Sequence, residues 1–184
     1  MNEFLDQAKP NDVIVLFIAG HGVTNDEQEL FFMTHDADID RPFTGMAVDR
    51  FRSYLDNRPI NQNALFLLDI CHSGAADGRV VAEDAVQTLT KGTGAIVFAS
   101  SSGSQQSFED ETFGGGHGAF TAALLEGLRG LADNKVGDRD GFNSLQEIVV
   151  FTSARVPEMT EGQQRPSFPV ISNSLDFPLS LNQN

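Results

Sequence analysis

Cysteine occurs once in the 184 residues, and basic residues are scarce, with 12 Lys and Arg set against 26 Asp and Glu for a net charge of −14. A lone cysteine excludes an intrachain disulfide, which fits a reducing compartment and leaves one thiol for chemistry. The acidic balance disfavours nucleic acid and anionic membranes and favours cationic peptides or metal ions; an acidic surface also serves solubility alone. Long apolar runs are missing too, since none approaches the roughly 18 residues that span a bilayer. The opening MNEFLDQAKPND has no basic region followed by an apolar stretch, so no secretory signal is read and a cytoplasmic location is expected. What the chain does have is a 40% hydrophobic fraction and enough length for a real core. A single domain over residues 1–184 is expected, held by packing rather than by staples.

Three continuous apolar runs, DVIVLFIAGHG (12–22), ALFLLDICHSG (64–74) and GAIVFASSSG (94–103), are rich in β-branched and aromatic residues. They predict strands buried on both faces. Helical segments between them predict an α/β fold, a mostly parallel sheet with helices on both faces. ELFFMTHD (29–36) reads as a small hairpin or outlying strand outside the central sheet. TGMAVDRFRSYLDN (44–57) predicts a helix behind Thr44 as N-cap, and GAFTAALLEGLRG (118–130) a helix closed by Gly130. Ser144 with Glu147 three residues on predicts a capping box after a tight Asp140-Gly141 turn. RPSFPVISNSLDFPL reads as a last strand and an extended end. Segment 75–94, with its glycines and acidic residues, and segment 101–118, rich in Gly, Ser and acidic residues, read as mobile.

Ligands of open parallel sheets bind at the carboxyl ends of the strands, where His21 and Cys71 both emerge. If those strands are neighbours, the two side chains face each other, and thiol chemistry needs such a pair: an activated sulfur and an imidazole to exchange protons with the leaving group. The adjoining glycines Gly20, Gly22 and Gly74 allow close backbone approach and amide N–H groups aimed at an oxyanion. Viewed alone, Cys71 equally reads as a small buried residue and His21 as a turn histidine satisfied by backbone groups. Asp69 has the same strand parity as Cys71 and lies two residues deeper; it reads either as a site residue or as a turn cap.

The segments AGHG (19–22) and DICHSG (69–74), with the histidine 50 residues before the cysteine (71 − 21), resemble the caspase-like cysteine peptidases, most closely metacaspases and bacterial caspase-like proteins. FFMTHDAD (31–38), FASSSGSQQSFE (98–109), GHGAFTAALLEGL (116–128) and DGFNSLQEI (140–148) resemble family segments in the same order. The resemblance implies a caspase-like fold, Cys71 as nucleophile, His21 as general acid/base, and the backbone N–H groups of Gly22 and Cys71 as oxyanion hole. It makes His72 a structural part of the motif and Asp69 the floor of the pocket for the side chain before the scissile bond. An acidic floor, helped by Glu109, selects Arg or Lys. The implied partners are protein or peptide substrates with basic residues, and self-cleavage is expected after Arg79 or Lys91. No cofactor is implied; the calcium dependence of many metacaspases is not readable from these residues.

The chain also departs from the family pattern. Members begin with a strand, a helix and a second strand before the histidine-bearing strand, and FLDQAK is all that corresponds here. The domain therefore reads as N-terminally truncated, leaving 12–19 as an exposed apolar edge for a partner chain to cover. Ala19 stands where a serine is frequent, and 103–107 carry Gly, Ser and Gln where metacaspases commonly place aspartates. The rival reading is a non-catalytic caspase-like interaction module or an inactive fragment. Asp138 and Asp140 read as a solvated turn, because the full ligand spacing of an EF-hand is not met. Neither His35 nor His117 has a histidine at zinc-site spacing, no second cysteine exists, and no G-x-S-x-G elbow is present.

Overall fold

The computed structural model describes residues 2–9, 11–27, 29–56, 64–72, 81–91, 93–102, 107–111, 113, 115–168 and 176–182. Two units divide the chain, 1–99 and 100–184. In the first, the chain runs α1 (Asn2–Leu5), β1 (Ile14–Thr24), β2 (Leu30–Phe32), β3 (Met46–Ala47), α2 (Val48–Asp56), β4 (Ala64–His72), α3 (Val81–Thr90) and β5 (Ile96–Ala99). The five strands form one sheet in the order β3-β2-β1-β4-β5. β1, β4 and β5, the three apolar runs, are parallel, while β2 and β3 extend the sheet antiparallel.

Strand β4 is buried from Ala64 to Ile70, as a central strand of a parallel sheet should be. One face of the sheet carries Ile14, Phe66, Leu68, Ile70, Val97 and Ala99 into a single core with Leu5, Val48, Phe51, Ala85 and Leu89 of the three helices. Phe51 stands edge-on to both Phe32 and Phe66, at centroid separations of 5.6 and 6.3 Å. Burying each such ring contributes about 2–3 kcal/mol. The opposite face of β1 alternates outward, leaving Val15 and Phe17 exposed at 42% and 47%.

β1 is an edge strand only along part of its length. Its Ile14–His21 segment has a strand partner on the β4 side alone among the described residues, whereas Gly22–Thr24 also pairs with β2. The apolar edge expected at 12–19 is found from Ile14 to Ala19 among the described residues, and a short hairpin closes the far end of β1. β2 is part of that hairpin, as read from ELFFMTHD, but it lies within the central sheet rather than outside it, because it pairs with β1 and β3 at once.

Two local expectations fail. Thr44 does not cap α2: it ends a 3-10 turn at Pro42–Thr44, its Oγ1 donating to the Arg41 carbonyl at 2.8 Å and accepting from the Asp38 N–H at 2.8 Å. The helix starts only after Met46 and Ala47 have paired with β2. The segment read as mobile at 75–94 contains α3, because Ala85 and Leu89, four residues apart, are both fully buried.

The second unit contains β6 (Glu109–Asp110), β7 (His117–Gly118), α4 (Ala119–Glu126), α5 (Ala132–Lys135), β8 (Phe142–Ser144), α6 (Leu145–Met159) and β9 (Pro178–Leu181). Ser144 and Glu147 form the expected capping box: the Ser144 hydroxyl accepts from the Glu147 N–H at 3.4 Å, and Glu147 Oε2 from the Ser144 N–H at 2.8 Å. α4 and α6 approach closely at Gly127, where a Cβ would stand 3.1 Å from Ile148 and Phe151. Gly130 takes φ 119, the left-handed conformation expected of a helix-closing glycine, but within the helical turn Gly127–Leu131 that prolongs α4, and the chain re-enters helix as α5. Arg155 spans to Glu126 through Nε at 2.8 Å, which raises the guanidinium pKa above its ordinary value. β8 pairs antiparallel with β9. No helix among the described residues is long and apolar enough to cross a membrane.

Candidate active site

β1 and β4 lie in unbroken parallel register from Ile14 opposite Ala64 to Gly22 opposite His72. That register sets His21 directly opposite Cys71. Paired residues of adjacent parallel strands face the same side of the sheet, about 4.8 Å apart along the hydrogen-bonding direction. The imidazole-bearing and thiol-bearing residues thus share one face at the carboxyl end of neighbouring strands. His21 is exposed; the Cys71 and His72 side chains, together with Ser73 and Gly74, lie outside the described atoms.

The backbone around His21 is fixed from both sides. Gly20, one residue before it, takes φ 149, a region open to glycine and strained for other residues. A Cβ there would meet nothing within 4 Å, so the requirement is conformational rather than spatial. The His21 carbonyl accepts from the Met33 N–H at 2.9 Å, which fastens the segment after β2 to the strand end. That segment is stiffened in turn: Thr34 Oγ1 donates to Asp36 Oδ1 at 2.8 Å, and Arg41 Nε to Asp38 Oδ2 at 2.8 Å. The Thr34 hydroxyl lowers the Asp36 pKa, and the Arg41 hydrogen bond lowers that of Asp38.

Asp69 is 6% exposed and pairs with Ala19. Two residues back from Cys71 on the same face, it lies about 6.6 Å deeper along the strand. Gly22 is buried, opposite His72, on the other face. His21, Gly22, Asp69 and Cys71 are therefore gathered on two neighbouring strands. Glu109 belongs to the second unit, where it is exposed and pairs with Gly118. His117 is exposed beside it in β7, and His35 is exposed in the segment after β2.

One polar centre of the second unit escaped sequence reasoning. Gln164 is fully buried; its Nε2 donates to the Ser100 carbonyl at 2.8 Å, and its Oε1 accepts from the Phe108 N–H at 2.8 Å. Ser100 and Ser107 share a 2.7 Å hydroxyl hydrogen bond. Gln164 thereby holds both ends of the 100–108 stretch. The second glutamine of GQQRPSF carries no periodicity or motif that would reveal this role.

In this open α/β sheet His21 and Cys71 stand in register toward the carboxyl ends of two adjacent parallel strands, the edge at which sheets of this class bind their ligands. Residues 1–178 match the family model Peptidase_C14, the caspase domain, and the chain belongs to that family of cysteine peptidases. The match runs across both units. Among solved structures, the chain is similar to protein GSU0716 from Geobacter sulfurreducens. The two share 15% sequence identity and a TM-score of 0.58 over 95% of this chain and 72% of that one. That likeness concerns the fold. A comparison with curated proteins returned no significant match.

Proposed function

We propose that this chain is a cysteine endopeptidase that uses a Cys71–His21 dyad and cleaves after Arg or Lys. The observation that carries the reading is the direct register of His21 with Cys71 on one sheet face. In this mechanism the Cys71 thiolate attacks the substrate carbonyl carbon. The oxyanion forms beside the backbone N–H groups of Gly22 and Cys71. The C–N bond then breaks as the His21 imidazolium gives its proton to the departing amine, leaving a thioester on Cys71. A water deprotonated by His21 hydrolyses that thioester, releasing the acid and restoring the thiol. Asp69, buried on the same face, supplies the negative charge that selects a basic side chain.

Peptides with Arg, Lys or Asp before the cleavable bond test both parts. Turnover of the Arg and Lys peptides should vanish in Cys71→Ala, and His21→Ala should slow it about 10²- to 10⁴-fold. Unchanged hydrolysis in Cys71→Ala would remove the nucleophile, and preference for Asp would remove the role of Asp69. Processing is expected after Lys91, exposed at the end of α3, or after Arg79, outside the described residues. Intact mass after incubation of an active preparation decides it.

The second reading, a caspase-like module that binds a partner without catalysis, is favoured by one observation, the exposed Val15 and Phe17 on the partly unpaired β1. A thiol probe separates the two. A dyad cysteine labels much faster at neutral pH than the unfolded chain, and an inert one does not.

A further inference from the structure

Asp133, in α5, is 1% exposed. Its Oδ2 accepts from the Gly141 N–H at 3.2 Å and from Asn182 Nδ2 at 2.9 Å, yet its Oδ1 is buried with no hydrogen-bond donor. A buried carboxylate oxygen without a donor is rare in folded proteins and points to a missing water or ion. Carboxylate oxygens of Asp133, Asp138 and Glu147 lie within 4.8 Å of one another. Three like charges at that spacing repel unless a cation stands between them.

The loop is shaped to hold them there. Glu147 Oε1 accepts from the Asp138 N–H at 3.2 Å while its Oε2 serves the capping box. Gly137 leaves the room for this, since a Cβ at that position would collide with the Glu147 carboxylate. Asp138 Oδ1 accepts from the Asp140 N–H and Asp140 Oδ1 from the Phe142 N–H, at 3.2 and 2.8 Å, so each aspartate keeps a second oxygen for other work. Asp138, Asp140, Ser144 and Glu147 line one surface cavity.

The spacing of these residues follows a twelve-residue calcium loop from 136 to 147. Asp138 falls at the third position, Asp140 at the fifth, Gly141 at the sixth with φ 93, Ser144 at the ninth and Glu147 at the twelfth. Only the first position fails, being Val136. That failure made the segment read as a solvated turn. In three dimensions Asp133, three residues earlier, brings in the carboxylate that Val136 lacks.

We infer that Asp133, Asp138 and Glu147, with Asp140 completing the oxygen set, bind a calcium ion. The donors are all hard oxygens, drawn from α5, α6 and the turn between them, and such a set suits the adaptable shell of calcium better than the small octahedral shell of magnesium. This site lies wholly in the second unit, and the inference does not depend on the peptidase reading.

Titration of the chelator-stripped full chain with calcium chloride, followed by calorimetry and thermal unfolding, tests it. One calcium per chain is expected, with a melting temperature about 5–10 °C higher when calcium exceeds the dissociation constant about 100-fold. Asp133→Asn and Asp138→Asn should each weaken binding at least about tenfold. Asp138 is exposed, so its variant keeps the test valid even if Asp133→Asn fails to fold. Absence of heat and of any thermal shift up to about 10 mM calcium, above the weakest class of such loops, would overturn the site. So would unchanged affinity in folded Asp138→Asn, and equal stabilisation by magnesium would overturn the assignment to calcium.

Discussion

Replacing Gln164 with leucine removes two hydrogen bonds while nearly preserving side-chain volume, so no cavity complicates the outcome. The change strands the Ser100 carbonyl, in a residue that is fully buried, and the Phe108 N–H, in one that is half-buried. A buried polar group left without a partner costs about 1–3 kcal/mol. The Ser100 carbonyl should bear most of its cost, and the Phe108 N–H, closer to water, a smaller part, for a total of about 3 kcal/mol. That is a large share of the 5–15 kcal/mol that holds an ordinary domain together. For a chain of this size it corresponds to a melting temperature about 6–12 °C lower. Tryptophan is absent, so urea unfolding is best followed by far-ultraviolet circular dichroism. The midpoint should fall with the slope unchanged, the mark of a stability change alone. A loss below about 1 kcal/mol would show that water replaces the amide at little cost, and that Gln164 does not hold the 100–108 stretch.

Gly20→Ala should cost about 1–3 kcal/mol although its Cβ has free space, because φ 149 disfavours any side chain; a neutral variant in the same denaturation assay would contradict the conformational argument. Asp36 and Asp38 both titrate below their ordinary value in the fold. Their contribution to stability is therefore complete above the unfolded carboxylate pKa and lost as pH falls through the folded values. Carbon-detected NMR titration should place both below 3.8, and Arg41→Ala should move Asp38 back up without moving Asp36. An Asp38 titration that ignores Arg41→Ala would remove the ion pair as its cause.

The three parallel strands were legible because continuous β-branched and aromatic runs suit a sheet buried on both faces, and β1, β4 and β5 are those runs. The capping box at Ser144 was legible for a similar reason: it is a local bargain between residues three apart, with no distant partner needed. What stayed hidden depends on partners far away in sequence. Thr44 looked like an N-cap until Met46 and Ala47 were claimed by the upstream strand β2, as the pairing of Phe31 with Ala47 and of Phe32 with Met46 shows. α3 was masked by the glycine and acidic residues in and around it, which made the whole 75–94 window look like a loop while Ala85 and Leu89 kept a helical spacing inside it. The candidate site divides the same way. The opposition of His21 and Cys71 follows once two strands are neighbours, whereas the carboxylate of Asp133 enters its cluster from outside the loop pattern, and Gln164 is marked by nothing local.

The pairing of His21 with Cys71 has a consequence for how the chain reports on itself. Side chains alternate along a strand, so a slip of one residue between β1 and β4 would put His21 opposite Ile70 or His72 and assign His21 and Cys71 to opposite faces. No adjustment of rotamers could bring them back together. On the proposed dyad mechanism, peptide turnover would then act as a gauge of strand alignment, fine enough to register a single-residue error that circular dichroism, blind to which residues are paired, would pass as native.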